Sequence, residues 1–212
     1  MRTPYYREQM LERIARDIIT AYDPKLYYGS PSMIPIENII EAQGVSLEYQ
    51  CWRKTGCILG DAIFDDGLAA VDDGLAAVYD LEKCEYTLIP VKAGTILIDS
   101  SLCSEDASTG CLRFTCAHEL AHWILHQKLF SGTGESAAML SAGNRSSAQS
   151  NTLEVQANLL GAILLLPLPQ VKRCFYELHT GRNPQQLVAD MAAVFQVSRQ
   201  AMRIRLEEHN LL

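Results

Sequence analysis

The stretch "HELAHWILHQ", residues 118–127, places three histidines at four-residue intervals. Its pattern is that of an α-helix, in which each residue advances the chain by ~1.5 Å and four residues bring the side chains back to nearly the same face. His118 and His122 therefore share a face, with their Cα atoms ~6 Å apart. Two imidazoles at this spacing can bind one metal ion.

Glu119 lies next to the first histidine and completes the pattern H-E-x-x-H. In this pattern the glutamate acts on a water held by the metal, as it does in zinc peptidases. A surface helix with polar residues remains the alternative to a metal site. His126 lies ~12 Å along the helix axis from His118, too far for a third ring to share a metal with ~2.0 Å bonds. We expect His126 to be packed in the interior or to support a ligand histidine.

A third ligand has to come from another helix, and the segment "NTLEVQANLLGAILLLP", residues 151–167, offers candidates. Glu154 and Asn158 are four residues apart and share a face, so one can coordinate while the other accepts a hydrogen bond from a ligand histidine. The remainder of the helix is almost wholly apolar, which is typical of a buried central helix. A capping box formed by Asn151 and Glu154 is the alternative interpretation.

Composition excludes several classes of protein. The chain has 212 residues and a net charge of -7, which disfavours a surface that binds nucleic acid. Seven scattered cysteines without a C-x-x-C pair are typical of reduced thiols. The N-terminus lacks an apolar signal region, and the longest apolar run is about half of the ~20 residues that span a bilayer. We expect a cytoplasmic protein with no membrane segment.

Hydrophobic periodicity predicts an α+β fold in which helices flank a small sheet. The segment 131–150, rich in Gly, Ser, Ala and Asn, is expected to form a loop. The heptapeptide "DDGLAAV" occurs at 65–71 and again at 72–78, and we interpret it as a duplicated turn and strand end. The predicted helices are 7–21, 36–44, 114–130, 153–166, 185–195 and 199–208, and the predicted strands are 45–50, 57–64, 85–91 and 95–99.

Over most of residues 30–212 the sequence resembles the ImmA/IrrE family of zinc metallopeptidases. The resemblance is carried by four stretches: "RFTCAHELAHWILH" (113–126), "EVQANLLGAILLLP" (154–167), "TILIDSS" (95–101) and "FQVSRQAMRIRLEEHNLL" (195–212). It implies a small zincin-like metallopeptidase fold, with a short, mostly antiparallel sheet packed on the HExxH helix and on a second ligand-bearing helix. The division that we expect is an N-terminal helical segment (1–30), the peptidase domain (31–180) and a C-terminal helical segment (181–212) packed on it.

The resemblance also implies roles for individual residues. His118, His122 and Glu154 would bind Zn²⁺, and Glu119 would be the general base. Zincins with a glutamate ligand often carry an aspartate four residues later, which orients a ligand histidine. Here that position is Asn158, a neutral acceptor that polarises an imidazole less.

The implied activity is cleavage of a peptide bond in a protein substrate. The resemblance suggests a helix-turn-helix repressor as that substrate, in a bacterium or a mobile element within one. We expect the strand 95–99 to be an edge at which an extended substrate pairs, near Ile96 and Ile98. A core strand with Ile96 and Ile98 pointing inward is an alternative that is compatible with this role. The oligomeric state is not predicted.

A DNA-binding or protein-binding regulatory module, with an inactive or accessory metal site, is the alternative. The C-terminal segment has two helical stretches joined at "FQVS", as in a helix-turn-helix. Arg199, Arg203 and Arg205 give the second stretch a basic side, but Glu207 and Glu208 lie on the same helix. Together with the net negative charge, these glutamates disfavour DNA.

Overall fold

The computed structural model describes residues 4–51, 59–64, 75–80, 85–104, 107–131 and 147–212. It confirms the α+β class. The helices are α1 (Glu8–Tyr22), α2 (Lys25–Tyr28), α3 (Ile36–Ala42), α4 (Thr109–Phe130), α5 (Ser147–Leu165), α6 (Leu168–Leu178), α7 (Pro184–Phe195) and α8 (Arg199–Glu208). The strands are β1 (Ser46–Gln50), β2 (Gly60–Ile63), β3 (Leu75–Asp80), β4 (Glu85–Pro90) and β5 (Thr95–Asp99), and a 3₁₀ turn spans Ser100–Cys103.

Three of the strands form a mixed sheet in the order β1-β5-β2. Strand β5 is parallel to β1, with Ser46 opposite Thr95, and antiparallel to β2, with Gly60 opposite Ile98. Strands β3 and β4 pair separately as an antiparallel hairpin. Two of the three described pairings are thus antiparallel. Within the described sheet, β1 and β2 are the edges.

The prediction that 95–99 forms an edge strand is therefore wrong. Strand β5 has a partner on each side, so its backbone groups are used within the sheet. Ile96 and Ile98 are fully buried, and they contribute to the core rather than to a surface for substrate. A short strand of apolar residues fits a central position as well as an edge, so its sequence alone did not distinguish the two.

Helix α6 was not predicted from the sequence. The predicted helix 153–166 was followed by no further helix before 185, and Pro167 and Pro169 stand at the start of α6. Proline is tolerated in the first helical turn, however, because the N–H groups of that turn have no partner within the helix. Val171 and Cys174 of α6 face the interior and are buried.

The core lies between the sheet and helices α4 and α5, which pack closely on each other. Gly161 of α5 permits this approach, because a Cβ at this position would lie only 3.1 Å from the backbone nitrogen of His118. Leu11 of α1 and Met202 of α8 belong to the same buried cluster as Ile96 of β5. The division into three segments stays a prediction.

Two sequence features fall partly outside the described residues. The first copy of the repeat, 65–71, lies outside them, whereas Leu75–Val78 of the second copy are in β3. Of the predicted loop 131–150, residues 132–146 also lie outside, and the chain is helical from Ser147 onward.

No single helix in the described part of the chain is both long and apolar enough to cross a membrane. One bent pair of helices, Asn151–Leu165 with Leu168–Leu178, passes a test of length and composition alone.

Candidate metal centre

Helices α4 and α5 bring together the three residues that the sequence proposed as metal ligands. His118 and His122 project from α4, and their Nε2 atoms are 3.0 Å apart. From α5, Glu154 places Oε2 3.4 Å from His118 Nε2 and Oε1 3.5 Å from His122 Nε2. Tetrahedral coordination with bonds of ~2.0–2.2 Å sets neighbouring ligand atoms ~3.2–3.6 Å apart. The two separations that involve Glu154 lie within this range, and the separation of the two imidazole nitrogens is about 0.2 Å shorter, so the donors are spaced closely enough to converge on a zinc-sized ion.

The electrostatics of the cluster favour a cation. Burial disfavours the charged form of Glu154, but the two imidazoles overcome this effect and hold the pKa of its carboxyl well below its usual range. For His118, burial is likewise outweighed by Glu154 and Glu119, which raise the pKa of its imidazole. The carboxylate of Glu154 is thus ready to coordinate at neutral pH, and the site favours positive charge between its donors.

Asn158 lies one turn after Glu154 on α5 and contacts His118 from the other side of the ring. Its Oδ1 is 3.1 Å from His118 Nδ1. An amide oxygen can only accept, so His118 Nδ1 carries the proton and Nε2 keeps its lone pair for a metal. The geometry is the one expected for an orienting partner of a ligand histidine.

A buried chain of hydrogen bonds fixes the second histidine. His122 Nδ1 is 3.0 Å from His126 Nδ1, and His126 Nε2 is 3.2 Å from Gln156 Oε1. The amide nitrogen of Gln156 donates to the Pro4 carbonyl at 2.7 Å, which leaves its oxygen facing His126. A single proton arrangement satisfies every pair: His122 donates to His126, and His126 donates to Gln156. His122 Nε2 then keeps its lone pair for a metal.

His126 is fully buried, and Gln156 is 4% exposed. Burial, reinforced by the neighbouring His122, lowers the pKa of His126 to about 4. A neutral imidazole is what this chain requires, because a doubly protonated ring could not accept from His122. The location of His126 agrees with the expectation of a packed residue that supports a ligand.

Glu119 faces β2. Its carboxylate accepts a hydrogen bond from the Ala62 backbone N–H, and burial raises the pKa of its carboxyl above the usual range. Its Oε2 is buried and has no hydrogen-bond partner among the described residues. Such an atom calls for a polar partner, and a water between Glu119 and a metal would supply one. Glu119 is therefore suited to the role of a base.

Gly60 of β2 was missed by the sequence reasoning. A Cβ at this position would lie 2.7 Å from Glu119 Cγ and 2.8 Å from a methyl carbon of Thr115. Only glycine lets the strand approach the carboxylate this closely. A glycine in a short strand often marks a close contact, but the sequence did not indicate which residue it meets.

Gln156 was also missed. Its position, two residues after Glu154, places it on a different face of α5, and its partner at Pro4 is 152 positions away in sequence. A buried polar residue in an apolar helix was the one available signal.

A second group of possible donors lies elsewhere, formed by Glu8, Glu12 and His209. The guanidinium of Arg205 lies among them: it donates to Glu12 and is 3.8 Å from Glu8. Arg205 is 3% exposed and already supplies a counter-charge within this group, with Glu12 as its closest carboxylate. This group is organised around a built-in cation and does not favour a metal.

One family model matches the region that contains the candidate metal centre. Residues 102–207 match the family Peptidase M78, described as the IrrE N-terminal-like domain. No curated protein matches the sequence. Six chains of solved structures match, among them a Mycobacterium tuberculosis transcriptional regulator with 11% sequence identity and a TM-score of 0.49. That match covers 95% of this chain and 47% of the regulator, so the chain spans about half of the regulator's length. The family match includes the histidines of α4 and Glu154 of α5.

Proposed function

Since the chain belongs to the Peptidase M78 family, we propose that it is a zinc-dependent endopeptidase that hydrolyses a peptide bond of a protein substrate. The observation that carries the proposal is the convergence of His118, His122 and Glu154, whose donor atoms lie within 4.8 Å of one another. Two imidazole nitrogens and one carboxylate oxygen are one of the recurring ligand sets of catalytic zinc sites. In such sites a fourth position is left for water or substrate.

When bound, zinc supplies Lewis-acid polarisation of the peptide carbonyl and lowers the pKa of a water at the site. Glu119 accepts the proton of the attacking water and then delivers it to the amine that leaves. Burial raises the pKa of the Glu119 carboxyl, which makes its carboxylate a stronger base than an exposed one and so favours acceptance of the proton. Asn158 and His126 hold the two ligand imidazoles in the required tautomers.

Strand β2 replaces β5 as the proposed site of substrate pairing. The carbonyls of Leu59 and Ile63 face β5, where they accept from the N–H groups of Asp99 and Gly94. In an antiparallel pair the backbone N–H and C=O groups of successive residues point alternately toward the partner strand and away from it. The backbone groups of Gly60 and Ala62 therefore point away from β5, toward the open edge of the described sheet. The bond from the Ala62 N–H to Glu119 agrees with this direction. An extended substrate that pairs here lies beside Glu119 and the metal ligands.

The substrate class follows from the family resemblance. A helix-turn-helix transcriptional repressor is the proposed target, and its cleavage would relieve repression. A repressor encoded beside the gene for this protein, as in a mobile element, is the first one to test.

The competing hypothesis of a DNA-binding module has lost part of its support. Its helix-turn-helix-like tail is present as α7 and α8. Of the three arginines on α8, however, Arg205 is buried and paired with Glu12. Arg203 lies 3.8 Å from Glu207 on the same helix. Among the three arginines, Arg199 and a partly neutralised Arg203 are left to contact phosphates. Binding to a DNA backbone usually uses more basic side chains than these two.

The test is incubation of zinc-loaded protein with the neighbouring repressor, followed over time on a gel, for wild type, Glu119→Gln and Glu154→Ala. We expect cleavage by wild type only, with zinc still bound to Glu119→Gln and lost from Glu154→Ala. Cleavage by Glu119→Gln at the wild-type rate would rule out the proposed base.

A further inference from the structure

An apolar groove runs from the metal centre along α5 to α8. Its volume is about 590 Å³, within the range of pockets that bind ligands. We call it the α5–α8 groove, and its apolar walls are formed by Phe114, Leu159, Ala162, Ile163, Ala201 and Ile204.

The groove meets the metal centre at Asn158. Asn158 lines it and also contacts His118 Nδ1. The ring of Phe114, another wall residue, has its centroid 6.3 Å from that of His118. Side-chain exposure is 16% for His118 and 25% for Glu154, whereas His122 is at 1%. Solvent therefore reaches the ligands on the side of His118, where the groove begins.

The walls expose apolar surface that folding has left in contact with water. Leu159 is 37% exposed and Ile204 is 46% exposed. Val155, one turn before Leu159 on α5, does not line the groove but is also exposed, at 48%, and extends the apolar surface beyond the groove. Contiguous apolar surface of this kind, rimmed by polar groups, is typical of binding sites. Its position beside the metal centre points to a part of the substrate as the occupant.

The far end of the groove carries negative charge. Glu8 and Glu208 line it, with side chains that are 57% and 47% exposed. Arg205 lies between them but is 3% exposed and is also neutralised by Glu12. The charge presented to an occupant is therefore acidic, and a lysine or arginine would complement it.

We propose that the α5–α8 groove is a substrate subsite, which binds a segment with large apolar side chains next to the cleaved bond and a lysine or arginine beyond them. The assignment rests on the proposed peptidase function and adds the substrate class. Strand β2 approaches Thr115 and Glu119 of α4, whereas Phe114 of α4 lines the groove. Because successive residues of a helix point about 100° apart, the strand and the groove meet different faces of α4. A substrate that crosses the metal centre can therefore use the backbone of β2 and the walls of the groove together.

The test separates binding from cleavage. Immobilised, zinc-loaded Glu119→Gln protein is incubated with a pool of short randomised peptides, and the retained peptides are sequenced. We expect about tenfold enrichment of peptides that pair a large apolar residue with a nearby lysine or arginine, which is the effect of burying one such side chain. Ile204→Asp and Leu159→Asp should remove the apolar enrichment, and Glu208→Lys should remove the basic enrichment.

Met10→Asp is the matched control, because Met10 is 47% exposed on a helix, as Ile204 is at 46%, but does not line the groove. If the Ile204→Asp and Met10→Asp variants retained peptides with the same apolar enrichment, the proposal would be overturned. A dimer in solution that Ile204→Asp converts to a monomer would also overturn it, since a second copy would then occupy the groove.

The peptidase function and the substrate subsite can be refuted independently of each other. If the groove selects peptides as expected but the protein with Glu119 intact cleaves none of them, the groove stands as a peptide-binding site and the peptidase function is wrong. If the protein cleaves peptides at sites without apolar preference, and the groove variants cut the same sites, the peptidase function stands and the subsite is wrong.

Discussion

The His118–His122–Glu154 cluster and the Glu8–Glu12–His209 cluster each bring three donor atoms within 4.8 Å of one another. Both combine imidazole and carboxylate groups. They differ in what surrounds the donors. The first cluster is backed by neutral hydrogen-bonding groups, Asn158 and His126, which orient its imidazoles. The second surrounds the guanidinium of Arg205.

This difference shows that proximity of donors does not define a metal site. A carboxylate next to a buried guanidinium already has its counter-charge, and a metal would have to displace or repel that cation. A donor group whose neighbours are neutral and fixed in the right tautomer has its electron pairs available. The first cluster has the properties of a candidate metal centre by this criterion, and the second is an ion-pair network that connects α1 to α8.

The largest expected difference between the two clusters is the loss of metal affinity when a carboxylate is removed. Glu154→Ala should weaken Zn²⁺ binding by more than the about 10- to 100-fold that loss of a supporting residue costs. Glu12→Ala should leave the affinity unchanged. Competition with a chromophoric chelator measures both variants. Equal loss of affinity in the two variants would contradict the distinction between the clusters.

The second effect is on the free energy of unfolding. Here Glu12→Ala should have the large effect and Glu154→Ala the small one. Glu12→Ala removes the closest and most buried carboxylate partner of Arg205, so the free energy of unfolding should fall by about 3 kcal/mol. Glu154→Ala, measured without metal, should change it by less than about 1 kcal/mol, because Glu154 is partly exposed. Urea denaturation of the metal-free proteins gives both values. A stable Glu12→Ala variant would show that the second cluster is not an ion-pair network.

The third effect concerns His126. His126→Leu removes the acceptor of the His122 Nδ1 proton, so metal affinity should fall by about 10-fold to 100-fold. His126→Asn offers an amide oxygen near the same position and should restore part of the affinity. Nitrogen NMR of the metal-free protein should show that His122 loses its preference for the Nδ1-protonated form in the leucine variant. An unchanged tautomer in that variant would remove His126 from its positioning role.

The smallest effect concerns Asn158, which is exposed at the edge of the site. Asn158→Asp replaces a neutral acceptor by a charged one, which makes His118 a more basic ligand and should raise metal affinity about threefold to tenfold. Asn158→Leu should lower it by a similar factor. The same chelator competition measures both variants. Identical affinities for the two would mean that the contact with His118 has no part in binding.

The sequence predicted the components of the first cluster because each half of it lies on one helix. His118 and His122 share a face by their spacing, and so do Glu154 and Asn158, and helical geometry needs no further information. The family resemblance then indicated that the two helices meet. The second cluster depends on α1 and α8 packing side by side, which local pattern does not specify.

The errors have the same origin. The central position of β5 depends on pairing with β1 and β2, and nothing in "TILID" reveals how many partners the strand has. Gly60 and Gln156 act through residues distant in sequence, Glu119 and Pro4. Sequence pattern thus determined faces within one element, whereas contacts between elements required the structure.

The central claim is that a metal binds between α4 and α5 and not between α1 and α8. The most direct test is anomalous diffraction at the zinc edge from crystals of the zinc-loaded protein. We predict an anomalous peak ~2.0–2.2 Å from Nε2 of His118, Nε2 of His122 and a carboxylate oxygen of Glu154. A peak between Glu8, Glu12 and His209, with none at the first cluster, would contradict the account.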